Sequence, residues 1–310
     1  MRLKIPSVIN AAGLVPFITL LGSVPNRDPE ILLDFSALRR VSPAGLVALV
    51  ATVQHWQRQA PRRVQFLGME ACPIKDYLQR MDVFRNCGLS LPETFQRHAP
   101  EGRFVPVQAI EDVGAMSRGV AACLAPGGED WEHAQSPLYD LAAYVLGELG
   151  ANVRQHSRGA GFVAAQVNAH DGLVRLAVAD NGHGVRQSFV EAGLGWSLTL
   201  SDAAALRKAL EPRLSSKGEP VNQGVGLTLV TGLAKLTQAW VLMASGSGLL
   251  KITPAGVVAE DQLPSSVFHR GTLIALTFRR DKLASFPTLL DAAKHEAGLL
   301  AKRPFKTRFS

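Results

Sequence analysis

The feature that most restricts the fold of this chain is an apolar segment that ends in a carboxylate followed by glycines. Residues Leu173–Ala179 form a mostly apolar run typical of a buried strand, and the run Asp180–Gly184 (Asp-Asn-Gly-His-Gly) follows it directly. An aspartate fixed at a strand end is well placed to accept a hydrogen bond from an exocyclic amine. Glycines beside it let the backbone pass close to a flat ligand. We therefore predict a ligand site at the end of this strand.

A helix predicted over residues 141–156 precedes this strand and carries a polar stripe. Its apolar residues share one face, while Glu148, Asn152 and His156 recur every four residues on another. Because an α-helix has 3.6 residues per turn, a step of four rotates the side chain by only about 40°. The stripe is either a solvated helix face or part of a site. For His156, packing between the helix and the sheet is an equal alternative to a functional role.

A glycine-rich entry into another apolar helix is the third element of the pattern. Gly224 and Gly226 lead into this helix, and such an entry presents free backbone N–H groups and the positive end of the helix dipole to an anion. The segment lacks the Gly-Lys-Ser/Thr of a Walker A loop. A Rossmann fingerprint is the competing interpretation of the glycines after Asp180, but Gln187 stands where its third glycine belongs.

Length and composition narrow the class of protein. A chain of 310 residues suits two domains of ordinary size, and a hydrophobic content of 47% with 19% charged residues is typical of a globular protein. The net charge of +7 would permit contact with nucleic acid or an anionic membrane. Aromatic residues make up only 6% and the basic residues are scattered, so we predict neither as a partner. The three cysteines form no C-x-x-C pair, which excludes a zinc ribbon or a disulfide framework and fits the cytoplasm.

The N-terminal segment allows two interpretations. Arg2 and Lys4 precede an uncharged stretch, as in a signal peptide, but Asn10 and Pro16 interrupt its apolar residues. We expect an amphipathic first helix. No uninterrupted apolar run approaches the roughly 18 residues of a membrane-spanning helix, so we predict a cytoplasmic protein.

The first part of the chain has the pattern of a βαβ unit. A strand is predicted over residues 31–35, a helix over 46–53 with Pro43 near its start, and a second strand over 63–68. This order is typical of a parallel sheet.

Turn-rich breaks divide the chain into four parts. They are a first domain with its N-terminal helix, a connecting segment, the domain that carries the three motifs, and a basic C-terminal helix or tail, at residues 1–95, 96–134, 135–282 and 283–310. The connecting segment contains a predicted strand over 104–107 and a predicted helix over 113–124. The tail is predicted to be solvated rather than a binding arm.

The order of the motifs resembles the GHKL superfamily, the ATPase fold shared by histidine kinases, gyrase-type enzymes, mismatch-repair ATPases and anti-sigma kinases. Glu-x-x-x-Asn-x-x-x-His is followed by Asp-x-Gly-x-Gly, then Gly-x-Gly-Leu, then Gly-Thr at residues 271–272. Each motif is weak alone, but four in this order are specific. The similarity covers about residues 135–280 and is greatest to the anti-sigma kinases. It implies a Bergerat-type α/β sandwich with a mixed sheet and helices on one face, and ATP and Mg²⁺ as ligands.

The resemblance also implies roles for residues at the base end of the site. Asp180 would bind the adenine amino group, and Thr272 would support the same site directly or through a water. Gly182 and Gly184 would shape the wall of the pocket.

At the phosphate end the resemblance assigns the chemistry to other residues. Glu148 would be the general base, and Asn152 would supply an oxygen to Mg²⁺. Gly224 and Gly226 would offer backbone donors to the phosphates. His156 matches the family pattern but has a less defined role.

The long segment between Gly184 and Asn222 corresponds to the ATP lid of the family. Helical spacing over residues 201–210 predicts that part of it is ordered. Lys217 or Arg213 would be able to reach the γ-phosphate, and a solvated position is the alternative for both.

Residues 28–90 resemble the STAS domain, the fold of the anti-sigma-factor antagonists. In that family an Asp-Ser pair precedes the long helix and the serine accepts a phosphate. Here Ser42 stands at the Asp position and Pro43 at the Ser position, so the acceptor hydroxyl is missing where the family needs it. Ser42 is interpreted as a helix N-cap, with a phosphate acceptor as the alternative. We interpret the domain as a degenerate STAS-like module retained for docking.

The two resemblances lead to one expected function and one alternative. We expect an ATP-binding regulatory protein of bacterial-type signalling that hydrolyses ATP or phosphorylates a partner. The expected partner is a regulatory protein of STAS or anti-sigma type, with a second copy of the chain as a further candidate. The alternative is a switch without catalysis, in which ATP closes the lid and changes the surface offered to a partner.

Overall fold

The computed structural model describes residues 1–25, 28–59, 63–127, 136–212 and 224–300, and they form a mixed α/β structure. The elements of the first module are β1 (Arg2–Lys4), β2 (Val8–Ile9), α1 (Leu14–Gly22), β3 (Glu30–Asp34), β4 (Arg40–Val41), α2 (Pro43–Arg58), β5 (Arg63–Leu67), α3 (Lys75–Arg80) and α4 (Val83–Asn86).

The second module follows along the chain. Its elements are β6 (Phe104–Ala109), α5 (Val113–Leu124), α6 (Pro137–Asn152), β7 (Gly161–Asn168), β8 (Leu173–Asp180), α7 (Val185–Glu191), α8 (Asp202–Lys208), α9 (Gly226–Leu236), β9 (Trp240–Gly246), β10 (Gly248–Ile252), β11 (Val258–Gln262), β12 (His269–Arg279) and α10 (Phe286–Glu296). Single turns of 3₁₀-helix lie at Gly195–Leu198 and Arg280–Lys282.

The first module contains the predicted βαβ unit. Strands β3 and β5 pair in parallel, with α2 between them in the chain, and β1 pairs in parallel with the other side of β3. The predicted N-terminal helix is α1, which buries Phe17, Ile18 and Leu21. Thr19 is the one polar side chain of α1, and Val15 and Leu20 also pack against the core, so the helix exists as predicted but is apolar on most sides rather than amphipathic.

Helix α2 begins at Ser42, whose side chain caps the helix. The Ser42 hydroxyl accepts a hydrogen bond from the backbone N–H of Gly45 at 3.4 Å, and Pro43 occupies the first helical position. Both features are typical of a helix start. The interpretation of Ser42 as an N-cap is confirmed.

The second module is built on a seven-stranded sheet with the strand order β11-β10-β9-β12-β8-β7-β6. All of its neighbouring pairs are antiparallel, so the expected mixed sheet is wrong for this module. Short turns join β7 to β8 and β9 to β10 and reverse the chain at once, whereas a parallel pair needs a crossover of a dozen or more residues. The parallel pairs of the described chain lie in the first module.

The helices of the second module pack against one face of this sheet, as expected, and a helix of the first module covers the other face. Helices α5, α6, α9 and α10 contribute to the core on one side, while α2 packs against β7, β8 and β12 on the other. The reason lies in the sequence of α2, where the run 46–51 is buried all round. A helix that is apolar on every side must be covered on every side. Small side chains on the sheet receive it, at Ala164, Ala177, Ala179 and Ala244.

The segment 96–134 is more than a connection between the two modules. Strand β6 pairs with β7 and forms one edge of the seven-stranded sheet, and α5 packs against α6. The predicted strand and helix exist within this segment, but both belong to the structure of the second module.

No helix among the described ranges combines the length and the apolar character needed to cross a membrane.

Candidate functional site

Seven of the predicted site residues meet in one cleft of the second module, bordered by the end of α6, by β8 and β12, and by the start of α9, while Glu148 and Gly182 do not line it. The cleft opens to solvent and combines an apolar wall with a few convergent polar groups, as small-molecule sites usually do. Seven of the ten predicted residues line it: Asn152, His156, Asp180, Gly184, Gly224, Gly226 and Thr272. Lys217 lies outside the described residues, as does Arg213.

Asp180 is the buried anchor of the cleft, with 3% of its surface exposed. Its Oδ1 accepts hydrogen bonds from the Ser157 hydroxyl at 2.8 Å and the Gly182 N–H at 2.9 Å, and its Oδ2 accepts one from the Thr272 N–H at 3.1 Å. Burial raises the pKa of Asp180, and these donors oppose that rise. Because a carboxylate has about four acceptor positions, one remains for a ligand that donates a hydrogen bond.

The two glycines after Asp180 are required by the protein's own packing. A Cβ at Gly182 would overlap the carbonyl oxygen of Ser157. Gly184 has a φ of +81°, and a Cβ there would lie 2.6 Å from the Ser245 hydroxyl. Both glycines let the loop after β8 pass close to the end of α6 and to β9, and Gly184 is the one that also lines the cleft.

Glu148, one helical turn before Asn152 on α6, does not line the cleft but lies beside the start of α9. A Cβ at Gly226, the first residue of α9, would collide with the Glu148 carboxylate, so the side chain reaches the start of that helix. Burial raises the pKa of Glu148, and Tyr144, one helical turn earlier, opposes that rise.

The end of α6 differs from the helix predicted to residue 156. The α-helix ends at Asn152 and continues as a π-helix over Val153–Ser157, before Arg158 turns the chain with a φ of 55°. Short π segments inside helices occur often at functional sites. Here the wider turn places His156 on the cleft and lets the Ser157 hydroxyl reach Asp180.

Several site residues were not predicted from the sequence. The Ser157 hydroxyl is one. Ser245 does not line the cleft but supports its wall, because its hydroxyl accepts from the Val185 N–H at 2.9 Å and donates to the Gly271 carbonyl at 3.0 Å. The apolar wall comes from Leu149, Val153, Val178, Met243 and Ile274. The sequence could have predicted Val178 as part of this wall. It precedes Asp180 by two residues in strand β8, so both side chains lie on the same face of the sheet.

The first module contacts the loop that carries Asp180. The guanidinium of Arg58, the last residue of α2, donates to Asn181 Oδ1 at 3.2 Å. The same oxygen accepts the N–H of Ala160 at 2.9 Å, so Asn181 links α2, the start of β7 and the glycine loop.

Part of the predicted lid is ordered. Helix α8 confirms the helical prediction for residues 201–210, and Phe189 of α7 and Ala209 line the cleft. The rings of Phe189 and Trp196 lie 5.2 Å apart, and the Lys208 ammonium stands 5.7 Å from the Trp196 ring centre. These contacts tie α7 and α8 together above the site.

Among the described residues of the cleft, Asn152 offers a side-chain oxygen as a ligand for a metal ion such as the predicted Mg²⁺. Within the described part of the chain, no group of three or more His, Cys, Asp or Glu side chains could hold a metal ion. Asn152 is an oxygen donor on the cleft wall, so Mg²⁺ there would take its other ligands from phosphates and waters, as it usually does at such sites.

A search of protein-family models and a search of curated proteins found no match to this chain. The interpretation of the cleft therefore depends on its own geometry and on the motif order.

Proposed function

We propose that the chain binds ATP in this cleft and hydrolyses it, as a GHKL-type ATPase module of Bergerat type that follows a STAS-like module. The observation that carries the proposal is Asp180. It is a buried carboxylate, fixed by three donors, with one acceptor position left at the apolar end of the cleft. An acceptor in that position suits the amino group of adenine, and the apolar wall suits the faces of the ring.

The opposite end of the cleft supports the placement of the triphosphate. Helix α9 has 11 residues and begins at Gly226, so its first N–H groups and the positive end of its dipole would face a phosphate bound at this end of the cleft. Gly224 lies beside it on the cleft wall. Asn152 would hold Mg²⁺, which when bound would neutralise charge on the phosphate oxygens.

Glu148 supports hydrolysis rather than binding alone. Its carboxylate lies against Gly226, where the phosphates would meet α9. In the proposed step Glu148 accepts a proton from a water as the water oxygen bonds to the γ-phosphorus, and the bond to ADP breaks. Burial brings the pKa of Glu148 upward, closer to neutral pH, which suits a general base.

Transfer to Ser42 of the same chain fits less well than transfer to water. Ser42 caps the first turn of α2, and Arg58 at its last turn is the residue that contacts Asn181 beside Asp180. A helix of 16 residues spans about 24 Å, so Ser42 lies far from the nucleotide loop. A protein substrate would therefore be a partner of STAS or anti-sigma type.

The proposal is tested with ATP labelled on the γ-phosphate, Mg²⁺ and the purified full chain. We expect free phosphate as the product, and we expect Glu148→Gln to lower turnover about 10²- to 10⁴-fold while ATP affinity stays unchanged. Glu111→Gln, at an exposed position, is the control and should keep wild-type turnover. Binding of ATP with no phosphate release would leave a nucleotide-gated switch as the function. If the Glu148→Gln variant keeps the wild-type turnover, the assignment of Glu148 as the general base is refuted.

A further inference from the structure

We infer that Ser245 is a positioning residue for the base end of the cleft, because its hydroxyl holds the start of strand β12 and the start of helix α7 together. This inference deepens the proposed function and rests on it. Ser245 lies outside the four motifs and does not line the cleft, so it acts only through the residues that it holds.

The first contact of Ser245 is with the strand that carries Thr272. The Ser245 hydroxyl, on β9, donates to the Gly271 carbonyl oxygen at 3.0 Å. The pairing of β9 with β12 is irregular between His269 and Thr272, and Gly271 has a φ of +74°. The Ser245 side chain therefore supplies a hydrogen bond at the point where the regular ladder between the two strands is interrupted.

The position of Gly271 matters because this part of the chain lies against Asp180. A Cβ at Gly271 would overlap the carbonyl oxygen of Asp180. The next residue, Thr272, donates its N–H to Asp180 Oδ2 at 3.1 Å. A shift of Gly271 would therefore move the donor that orients the proposed acceptor of the adenine amino group.

The second contact of Ser245 is with helix α7. Its oxygen accepts the N–H of Val185, the first residue of α7, at 2.9 Å. The residue before the helix is Gly184, which has no side chain to cap it. Because the first N–H groups of a helix need acceptors from outside the helix, Ser245 caps α7 from another element. Phe189 of the same helix lines the cleft, so the cap also supports the cleft wall.

The hydrogen-bonding positions of this hydroxyl are largely used within the protein. A serine hydroxyl has one donor and two acceptor positions. The donor serves Gly271, one acceptor position serves Val185, and the Thr272 hydroxyl lies 3.5 Å from the same oxygen. Only 2% of the surface of Ser245 is exposed. Removing the hydroxyl would therefore leave its partners without these bonds at a place that water scarcely reaches.

The test is Ser245→Ala in the full chain, which removes the hydroxyl and keeps the Cβ. Calorimetric titration measures the affinities for ATP and GTP, and steady-state turnover measures kcat and KM for ATP. We expect ATP affinity to fall about 3- to 10-fold, the effect of about one neutral hydrogen bond, while GTP affinity changes less than twofold. The kcat at saturating ATP should stay within about twofold of the wild type, because Glu148 and Gly226 are untouched.

Thr237→Val is the matched control. Thr237 also has a buried hydroxyl that donates to a backbone carbonyl, that of Leu233 at 2.7 Å, and it lies at the end of α9 away from Gly226. This variant should lose thermal stability and keep both nucleotide affinities. Hydrogen exchange over residues 185–191 gives a readout without nucleotide, and we expect faster exchange in Ser245→Ala than in Thr237→Val.

The outcomes separate this inference from the proposed function. A folded Ser245→Ala protein with the wild-type preference for ATP over GTP refutes the role of Ser245 and leaves ATP binding intact. Equal losses for ATP and GTP, or the same losses in Thr237→Val, would mean a general loss of stability and would also overturn the inference. A wild-type protein that binds no ATP refutes the proposed function, and the role of Ser245 with it. If ATP binds without release of phosphate, hydrolysis alone is refuted and the two affinities still decide the role of Ser245.

Discussion

Replacing Asp180 with asparagine is the sharpest test of the base end of the cleft. Asp180 accepts from the Ser157 hydroxyl, the Gly182 N–H and the Thr272 N–H, and Oδ2 has the acceptor position that remains for a ligand. An asparagine can keep its oxygen toward Ser157 and Gly182. Its NH₂ group then stands where Oδ2 was, facing the Thr272 N–H and the ligand. The asparagine NH₂ group and the amino group of the ligand are both hydrogen-bond donors, so a repulsive contact replaces the hydrogen bond that the Asp180 carboxylate accepted.

The magnitude follows from the lost bond. A hydrogen bond to a charged group contributes about 1.5 to 3 kcal/mol, so Asp180→Asn should weaken ATP binding roughly 10- to 150-fold. Because an NH₂ group can donate to a carbonyl, the same change should reduce the preference for ATP over GTP. Calorimetric titration of both nucleotides measures the two effects.

The control is Asp291→Asn, at an exposed position on α10, which should bind ATP like the wild type. Thermal unfolding of each variant establishes that it is folded at the assay temperature. A folded Asp180→Asn protein with unchanged ATP affinity would refute the assignment of Asp180 to adenine. Equal affinity of the wild type for ATP and GTP would refute it without any variant.

Two further predictions concern the first module and the strand that carries Thr272. Arg58→Met removes the hydrogen bond from α2 to Asn181. Because Arg58 is exposed, we expect only about a 2- to 10-fold loss of ATP affinity, measured by the same calorimetric titration. An unchanged affinity would mean that α2 does not position the glycine loop. His269 is buried, and burial lowers its pKa from 6.5 to about 4. Between these two pH values the unfolded chain therefore binds more protons than the folded chain. As a result, the free energy of unfolding falls as the pH drops from about 6.5 to about 4. Denaturant titrations should show that His269→Leu removes up to about 1.4 kcal/mol per pH unit of this slope, and an unchanged slope would refute the explanation.

Most of the regular elements follow from the sequence, because their signals are local. The mostly apolar run from Leu173 is typical of a buried strand, and Pro43 with Ser42 marks the start of α2. The strand β1 has only three residues and gains its stability from pairing with β3, so no local signal predicts it. The burial of α2 on all sides could have been predicted from the sequence, because its apolar residues surround the helix instead of forming one stripe.

Some residues of the candidate site could be predicted from the sequence, and others could not. Asp180, Asn152, Gly224, Gly226 and Thr272 were found from motif order, and the structure brings them to one cleft. The bond from Ser157 to Asp180 depends on a π-helical turn, which no residue type announces. The contact of Arg58 with Asn181 joins positions far apart in the sequence, so only the fold reveals it.

The position of α2 also bears on how this chain could be divided. One apolar cluster contains residues of α2 and of β3 together with residues of β7, β8 and β12. A cut near residue 95, where the motifs suggest a domain boundary, would strip α2 from the alanine face of the second sheet and leave that face in water. The two modules therefore share one core, and their folding is expected to be a single cooperative event rather than the sum of two.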